Sequence, residues 1–192
     1  NDRAIGGIDE ASTQKAIEFY KHFVIGTLHP TNAKTAEMVK LVENASRDNQ
    51  IAFANELSII CDKSGINVWE MIALANKHPR VNILNPGTGV GGHCIAVDPW
   101  FIVSEFPEES TLIRKSRETN TYKTEWVIEK IKNKALAFKI ENKRDPIIAC
   151  MGLAFKPDID DLRESPALLV TKRLINDDFK VLAVEPNIKE HN

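Results

Sequence analysis

Two long stretches without proline or glycine limit what this chain can fold into. The first, Thr31–Ser64, is followed by Gly65, and the second is Ser110–Asp145. Because proline and glycine are the strongest helix breakers, the first stretch predicts one long helix and the second predicts one or two helices ending near Ile140. At 1.5 Å per residue the first helix is roughly 50 Å long. A helix of this length needs a bundle core or a subunit interface to cover its apolar side.

The first stretch has an apolar repeat at helical spacing, which predicts its buried face. Lys40, Asn44 and Arg47 are spaced i, i+4 and i+7 and project from a narrow sector nearly opposite that face. By pattern alone this polar sector is typical of a solvent-exposed helix surface. The predicted apolar stripe consists of Met38, Leu41, Val42, Ala45, Ala52, Phe53 and Ile59.

A glycine-rich segment, NPGTGVGGHCIAVDPW, occupies Asn85–Trp100 between the two stretches. Small residues let a backbone approach a ligand closely and adopt positive φ. A thiol at the end of such a loop is a candidate nucleophile. Free cysteine is also among the most buried residue types, so Cys94 is either a nucleophile or a small buried side chain beside a tight turn.

The glycines of this segment also spell G-x-G-x-x-G, starting at Gly87. A dinucleotide fingerprint follows a strand and opens a helix. Here Asn85 and Pro86 precede the glycines as a turn signal, and we interpret Cys94–Val97 followed by Pro99 as no helix start. We therefore expect that this loop does not hold a pyrophosphate at a helix N-terminus.

After Pro146 the pattern changes to strand, helix and strand. Ile147–Met151 predicts a buried strand, Ser165 followed by Pro166 predicts a helix start, and Lys180–Val184 predicts a second strand. Together they form one βαβ unit, the opening of a doubly wound parallel sheet. Because two strands do not make a stable sheet of that kind, we expect the chain to be a piece of a larger protein.

Composition narrows the class of function. A formal net charge of −2 over 192 residues argues against a general nucleic-acid or anionic-membrane partner. No apolar run approaches the ~20 residues that cross a bilayer. Three widely spaced cysteines without C-x-x-C indicate neither a disulfide framework nor a zinc site, and favour a reducing cytosol. A metal-dependent hydrolase is disfavoured, because no ligand spacing joins the histidines His22, His29, His78, His93 and His191.

Three motifs carry a family resemblance: EMVKLVEN, GVGGHCIAVDPW and GLAFKPDIDDLRESPA. Together they resemble the nucleotide-sugar dehydrogenases of the UDP-glucose/GDP-mannose dehydrogenase family over essentially the whole chain. HPRVNIL followed by GVGGHCIAVDPWFIV is similar to the bacterial branch acting on UDP-N-acetyl-D-mannosamine. Relatives acting on UDP-glucose tend to have serine and lysine where this chain has His93 and Val97. Thr88 departs from the branch, which usually has proline there.

The resemblance implies a mainly α fold with parts of three domains. Residues 1–9 are then the tail of an NAD-binding Rossmann domain, and residues 10–142 are a central all-helical dimerisation domain with a long core helix and a connecting helix. Residues 143–192 are then the start of a C-terminal UDP-binding Rossmann-like domain, truncated after its first βαβ unit. We expect truncation to explain the missing NAD fingerprint, and we expect the chain as given to be inactive.

The resemblance also implies a reaction: the NAD-dependent four-electron oxidation of the C6 hydroxyl of UDP-N-acetyl-D-mannosamine to UDP-N-acetyl-D-mannosaminuronate, in polysaccharide precursor biosynthesis. Cys94 matches the nucleophile, which forms a thiohemiacetal and then a thioester. Lys40 matches a lysine that exchanges protons with the substrate hydroxyl or stabilises the oxyanion. Asn44 matches a residue holding the same oxygen or a water, and Asp98 matches an acid that assists hydrolysis or orients the site.

The resemblance further assigns binding residues. Arg47, Arg80 and Lys156 supply cations for the UDP diphosphate. His78 and Arg80 are expected in the site of the other subunit of a homodimer, and Arg163 is expected to reach NAD. The complete set of implied substrate-binding residues is Arg47, His78, Arg80, Gly91, Phe155 and Lys156, with Gly91 acting through its backbone.

Two alternatives stay open. The first keeps the chemistry but changes the substrate to UDP-N-acetylglucosamine, UDP-glucose or GDP-mannose. The second is a non-catalytic helical dimerisation module. In each case we expect a cytoplasmic homodimer without a metal ion, a nucleic-acid partner or a membrane partner.

Overall fold

The computed structural model describes residues 1–188 and is mainly helical, which confirms the predicted fold class. The elements are β1 (Arg3–Gly7), α1 (Glu10–Tyr20), β2 (Leu28–Asn32), α2 (Ala33–Ser64), α3 (Val68–Ala75), α4 (Asp98–Glu105), α5 (Thr111–Asn142), β3 (Ile147–Met151), α6 (Pro166–Asn176) and β4 (Lys180–Val184). The chain divides into two compact units, residues 1–46 and 47–192. No helix within residues 1–188 has the length and apolar character needed to cross a membrane.

The first unit contains a βαβ arrangement that the sequence predicted only in part. β1 and β2 pair in parallel, with Arg3 opposite Leu28. The sequence indicated either a strand end or a linker at residues 1–9, and β2 was missed because His29 and Pro30 were interpreted as a break. A two-stranded sheet tolerates Pro30, since each of its strands is an edge strand. As a result α2 begins at Ala33 and not at Thr31.

α2 is one continuous helix of 32 residues, as predicted, and ends where Gly65 adopts a φ of +68°. Its predicted apolar stripe is wrong in part, because Met38, Val42 and Phe53 are 38%, 48% and 54% exposed. The buried residues are instead small or polar, and from Asp48 onward they face polar partners on α5. The buried residues of α2 are Asn44, Ala45, Asp48, Ala52, Ala54, Asn55, Ser58 and Cys61.

In the second unit, local sequence signals set the helix boundaries. The side chain of Asn67 accepts hydrogen bonds from the backbone N–H groups of Trp69 and Glu70 and begins α3. α5 is a single helix of 32 residues, which settles the choice between one helix and two. It ends at Lys143, whose φ of +54° lies in the left-handed region.

The core of the second unit lies between α5 and the β3–α6–β4 unit. Its buried members are Ile128 on α5 and Val170 and Leu174 on α6. Ile148 and Cys150 of β3 and Val181 of β4 pack against them. β3 and β4 are parallel, and both occupy the residues predicted from the sequence. β3 is buried on one face only, because Ile147 and Met151 are 62% and 75% exposed, so the prediction of a fully buried strand is wrong.

Candidate active site

The glycine-rich segment forms a loop, residues 85–97, that contains no helix or strand. Gly89 and Gly92 adopt φ values of +136° and +85°, which side chains rarely tolerate. No strand precedes these glycines, so the dinucleotide fingerprint lacks its structural context. The prediction that no helix starts after Cys94 is wrong: α4 begins at Asp98, and Pro99 fits its first turn because an N–H there has no helical partner.

Cys94 occupies the last turn of the glycine loop. Its carbonyl oxygen accepts hydrogen bonds from the N–H groups of Val97, at 3.0 Å, and Asp98, at 2.7 Å. Its free thiol belongs to a partly buried residue, whereas Cys61 is enclosed at 3% exposure. The start of α4 therefore fixes the backbone of Cys94 while its side chain keeps access to the surface.

Two hydrogen bonds attach the start of the glycine loop to the long helices. Gly87 N–H donates to Asn55 Oδ1 of α2 at 2.8 Å, and Thr124 Oγ1 of α5 donates to the carbonyl oxygen of Thr88 at 2.7 Å. Asn55 and Thr124 are both buried. Sequence reasoning missed both residues as parts of this site.

The loop between β3 and α6, residues 153–164, packs directly against the glycine loop. Gly92 N–H donates to the carbonyl oxygen of Arg163 at 3.0 Å. A Cβ atom on Gly91 would lie 2.6 Å from Phe155 Cβ, and one on Gly92 would lie 2.9 Å from the Phe155 ring. Glycine is required at both positions by this close approach, and the approach brings the cysteine loop beside the predicted substrate-contacting loop.

A charged pair in the β3–α6 loop lies beside the glycine loop, because Gly92 N–H donates to the Arg163 carbonyl oxygen. Arg163 Nη2 and Nε donate to Asp161 Oδ2 and Oδ1 at 2.7 and 3.0 Å. The Arg163 hydrogen bonds lower the pKa of the Asp161 carboxyl to about 2, and nearby His93 acts in the same direction. Asp161 chiefly, and also the nearby Cys94, raise the pKa of Arg163. The structure thus places the predicted NAD contact Arg163 beside the loop that carries His93 and Cys94.

A buried polar network between α2 and α5 supports the loop. Asp48 Oδ1 accepts from Arg117 Nη1 at 2.6 Å and from Asn120 Nδ2 at 2.8 Å, and Asn120 Oδ1 accepts from Asn55 Nδ2 at 2.8 Å. Burial raises the pKa of Asp48, opposed by the charge of Arg117. The signal for this network was the i, i+4, i+7 spacing of Asp48, Ala52 and Asn55 on one helix face.

Three predicted site residues, Lys40, Asn44 and Arg47, lie on α2. Lys40 Nζ lies 3.5 Å from Asn44 Oδ1 and 3.7 Å from Glu43 Oε2, so Lys40 and Asn44, one turn apart on α2, are in contact. Asn44 is only 8% exposed, so the interpretation of this sector as a solvent-exposed surface, drawn from the pattern alone, does not hold at Asn44, which the resemblance assigns to the site. The side chain of Lys40 is 62% exposed, and Arg47, at the start of the second unit, is also exposed.

The other predicted binding residues occupy exposed or partly buried positions. His78 and Arg80 are exposed on the turn after α3, where Arg80 N–H donates to His78 Nδ1 at 3.3 Å. Lys156 is exposed, with Nζ 5.7 Å from the centroid of the partly buried Phe155 ring. Asp98 is partly buried in the first turn of α4.

Glu185, directly after β4, holds the beginning of the β3–α6 loop. Its Oε2 accepts from the N–H groups of Leu153 and Ala154 at 2.8 and 2.9 Å, and its Oε1 accepts from Asn187 N–H at 3.0 Å. These three hydrogen bonds lower the pKa of Glu185. Sequence reasoning missed this role; its signal was an acidic residue at the carboxyl end of the second strand.

No group of three or more histidine, cysteine or acidic residues within residues 1–188 is arranged to hold a metal ion. The three cysteines are all free. His191, which entered the sequence argument about metal ligands, lies outside the described residues.

Two domains of one protein family match this sequence. The central domain of the UDP-glucose/GDP-mannose dehydrogenase family matches residues 34–122, and the UDP binding domain of that family matches residues 149–192. The chain belongs to the UDP-glucose/GDP-mannose dehydrogenase family. The glycine loop lies in the central-domain match and the β3–α6 loop in the UDP-binding match, so the hydrogen bond from Gly92 to Arg163 joins two domains of this family.

Individual members of the UDP-glucose/GDP-mannose dehydrogenase family are similar over the whole chain. A UDP-N-acetyl-D-mannosamine dehydrogenase from Campylobacter jejuni is 59% identical, over 99% of this chain and 46% of the relative. An NDP-N-acetyl-D-galactosaminuronic acid dehydrogenase from Ralstonia solanacearum is 56% identical, over 98% of this chain and 44% of the relative. The structure of a UDP-N-acetyl-mannosamine dehydrogenase from Staphylococcus aureus superposes with a TM-score of 0.86 at 43% identity, over 99% of this chain and 44% of that protein. The chain thus spans about half the length of these relatives.

Proposed function

We propose that this chain is part of an NAD-dependent enzyme that oxidises the C6 hydroxyl of UDP-N-acetyl-D-mannosamine to UDP-N-acetyl-D-mannosaminuronate for polysaccharide precursor biosynthesis. The main support is that the loop ending in Cys94 is hydrogen-bonded, through Gly92, to Arg163 in the segment matching a UDP binding domain. A thiol beside a nucleotide-binding segment suits covalent chemistry on a nucleotide sugar. The relatives named for this substrate support the choice of sugar.

In this proposal Cys94 supplies the nucleophile. Its thiolate adds to the C6 aldehyde, and the resulting oxyanion takes up a proton to give a thiohemiacetal. Oxidation of that carbon leaves a thioester, and water then breaks the C–S bond, which releases the carboxylate and restores the thiol. NAD, when bound, accepts the two hydrides. One alcohol, one water and two NAD⁺ give one carboxylate, two NADH and three protons.

Three further residues are proposed to handle protons and oxygen atoms. Lys40 exchanges a proton with the substrate hydroxyl or stabilises the oxyanion of the covalent intermediates. Asn44, whose amide oxygen is 3.5 Å from Lys40 Nζ, holds the same substrate oxygen or a water. Asp98 assists hydrolysis of the thioester or orients the site.

The proposed binding residues follow the charge of the ligands. Arg47 and Lys156 bind the diphosphate, with Phe155 and the Gly91 backbone also contacting the nucleotide sugar. Arg163 is the one residue of this set that we assign to NAD, following the family resemblance; its side chain is 63% exposed and paired with Asp161. Residues 1–188 contain no G-x-G-x-x-G turn between a strand and a helix, so we derive no other contact to NAD from them.

We also propose a cytoplasmic homodimer in which His78 and Arg80 enter the substrate site of the second copy. Their exposure on the turn after α3 supports this role. The domain boundaries after residues 9 and 142 stay predictions. The first unit extends its βαβ structure beyond residue 9, and the second unit contains both sides of residue 142.

The central test uses the full-length gene product. NADH formation and uronate production are measured with UDP-N-acetyl-D-mannosamine for the parent protein, Cys94→Ser and the matched control Cys150→Ser. We expect Cys94→Ser to lose uronate production and Cys150→Ser to keep it, because Cys150 packs against the α5–α6 core. Uronate formation at the parent rate by Cys94→Ser would remove the thiol from the mechanism.

Mixing two inactive variants tests the shared site. Full-length Arg80→Ala and Cys94→Ala chains are combined, allowed to exchange subunits and assayed together. If Arg80 acts in the other subunit, one site of each mixed dimer contains both functional residues, and part of the activity returns. A mixture no more active than its two parents, although mixed dimers are present, contradicts the shared site.

A second candidate substrate has specific support. The relative from Ralstonia solanacearum is named for NDP-N-acetyl-D-galactosaminuronic acid and is almost as similar as the mannosamine enzyme. Parallel assays with the UDP-linked N-acetylgalactosamine, N-acetylmannosamine and N-acetylglucosamine sugars, UDP-glucose and GDP-mannose separate these possibilities by kcat/KM. The non-catalytic dimerisation module predicts a dimer by light scattering, no turnover with any of these sugars, and no preferential alkylation of Cys94.

A further inference from the structure

Thr124 contacts the glycine loop through both its hydroxyl group and its packing surface. The residue lies on α5 and is 5% exposed, and its Oγ1 donates to the Thr88 carbonyl oxygen at 2.7 Å. The next loop residue, Gly89, adopts a φ of +136°, and a Cβ atom there would overlap Thr124 Oγ1. One threonine therefore fixes two consecutive residues of a segment without helix or strand.

The same segment is held a few residues later at its other end. Gly92 N–H donates to the carbonyl oxygen of Arg163, and Cys94 then closes the turn before α4. Thr88 and Gly92 are thus both anchored, and only three residues lie between them. A displacement of Thr88 has little chain in which to be absorbed before it reaches Cys94.

We propose that Thr124 is a positioning residue that sets the location of the Cys94 sulfur through the Thr88–Gly92 segment. This inference rests on the proposed function for its kinetic consequence, but its structural consequence is independent of any activity. Loss of the hydroxyl leaves the Thr88 carbonyl oxygen without this donor and frees the loop from α5. The nucleophile then samples positions outside the reactive geometry, which lowers kcat.

The test compares four full-length variants. Thr124→Val removes the hydroxyl and keeps the branched shape, and Thr124→Ser keeps the hydroxyl. Thr121→Val is the matched control, because Thr121 lies one turn earlier on α5 and its hydroxyl donates only to the Arg117 carbonyl oxygen of the same helix. Thr124→Ala completes the set, so that the serine and alanine variants differ by one hydroxyl if the valine variant does not fold.

The first measurement is the alkylation rate of each cysteine by iodoacetamide, followed by peptide mass spectrometry. We expect Thr124→Val to raise the rate at Cys94 at least about threefold, because a freed loop exposes the partly buried sulfur. The rate at Cys150 should stay unchanged, and Thr124→Ser and Thr121→Val should match the parent. Equal Cys94 rates in all folded variants, or a parallel rise at Cys150, would overturn the proposal.

The second measurement is steady-state kinetics with the nucleotide sugar. We expect Thr124→Val to lower kcat roughly tenfold, equivalent to about 1.4 kcal/mol, with a smaller change in KM, because Gly91 is the one proposed contact to the nucleotide sugar within this segment. Thr124→Ser should restore kcat. A rise in KM at constant kcat would contradict the positioning role. If the parent protein oxidises none of the sugars, the proposed function fails while the alkylation series still decides the inference.

Discussion

Replacing Gly92 with alanine tests whether the close packing of the two loops is required. Gly92 has a φ of +85°, a conformation that costs alanine about 1–2 kcal/mol. Its new Cβ atom would lie 2.9, 3.0 and 3.2 Å from three atoms of the Phe155 ring. Because the ring or the loop must move, overpacking adds about 1–3 kcal/mol. The free energy of unfolding should therefore fall by about 2–5 kcal/mol.

Two other glycines separate these contributions. Gly65 has a φ of +68° but nothing within 4 Å of an added Cβ atom, so Gly65→Ala should lose only the backbone term of about 1–2 kcal/mol. Gly87 is not in the left-handed region, and its nearest atom would be 3.8 Å away, so Gly87→Ala should change stability by about 0.5 kcal/mol or less.

The assay is urea unfolding of the full-length protein and its three alanine variants, with uronate production measured alongside. The order of destabilisation should be Gly92 above Gly65 above Gly87. Only Gly92→Ala should also reduce kcat, because its change lies two residues before Cys94. Equal losses of stability for Gly92→Ala and Gly65→Ala would refute the packing argument, and unchanged activity of Gly92→Ala would refute its link to the nucleophile.

Three further predictions concern stability. Leu174→Ala, at a fully buried position, should lower the free energy of unfolding by about 2–5 kcal/mol, as measured in urea, and a loss below about 1 kcal/mol would mean that this core relaxes freely. Asp48→Asn leaves Arg117 buried without its counter-charge and should lower the free energy of unfolding by about 3–5 kcal/mol. Asp62→Asn, in a half-exposed ion pair with Lys130, should lower it by about 1 kcal/mol or less. Equal losses would contradict the burial argument. The folded-state pKa of Asp161 is lowered from 3.8 to about 2, so its ion pair stabilises the fold above pH 3.8 and this stabilisation is lost as the pH falls through about 2. Acid titration of Asp161→Asn should therefore show a weaker loss of stability over this interval. An unchanged profile would count against the ion pair.

Features set by neighbouring residues were predictable from the sequence. Asn67 is of a residue type that favours helix starts, and it caps α3 because its amide oxygen accepts hydrogen bonds from the N–H groups of Trp69 and Glu70, two and three residues further along the chain. Ser165 and Pro166 begin α6 by the same local logic, and both strands of the second βαβ unit have the predicted bounds. The start of α4 directly after the glycine loop was not predicted, because Pro99 was interpreted only as a helix breaker. Proline also favours the first turn of a helix.

Features set by distant partners were not predictable in this way. Asp48 and Asn55 are buried because Asn120, far along the chain, supplies matching hydrogen bonds, and polar residues without visible partners are normally assigned to the surface. The contact of Arg163 with the loop that carries Cys94 likewise depends on tertiary packing of two loops. The family resemblance identified both residues but gave no reason for their nearness; the structure gives it in the glycines that let the loops touch.

The continuity of α5 has a mechanical consequence. Two contact residues lie one turn apart on this unbroken helix. Thr124 is hydrogen-bonded to the glycine loop, and Ile128 is buried against α6. Because both contacts are made by one rigid helix, the glycine loop cannot move away from α5 independently of α6. We therefore expect the Cys94 loop and the β3–α6–β4 unit to move as one body, so any motion that opens the proposed site must take place in another part of the protein.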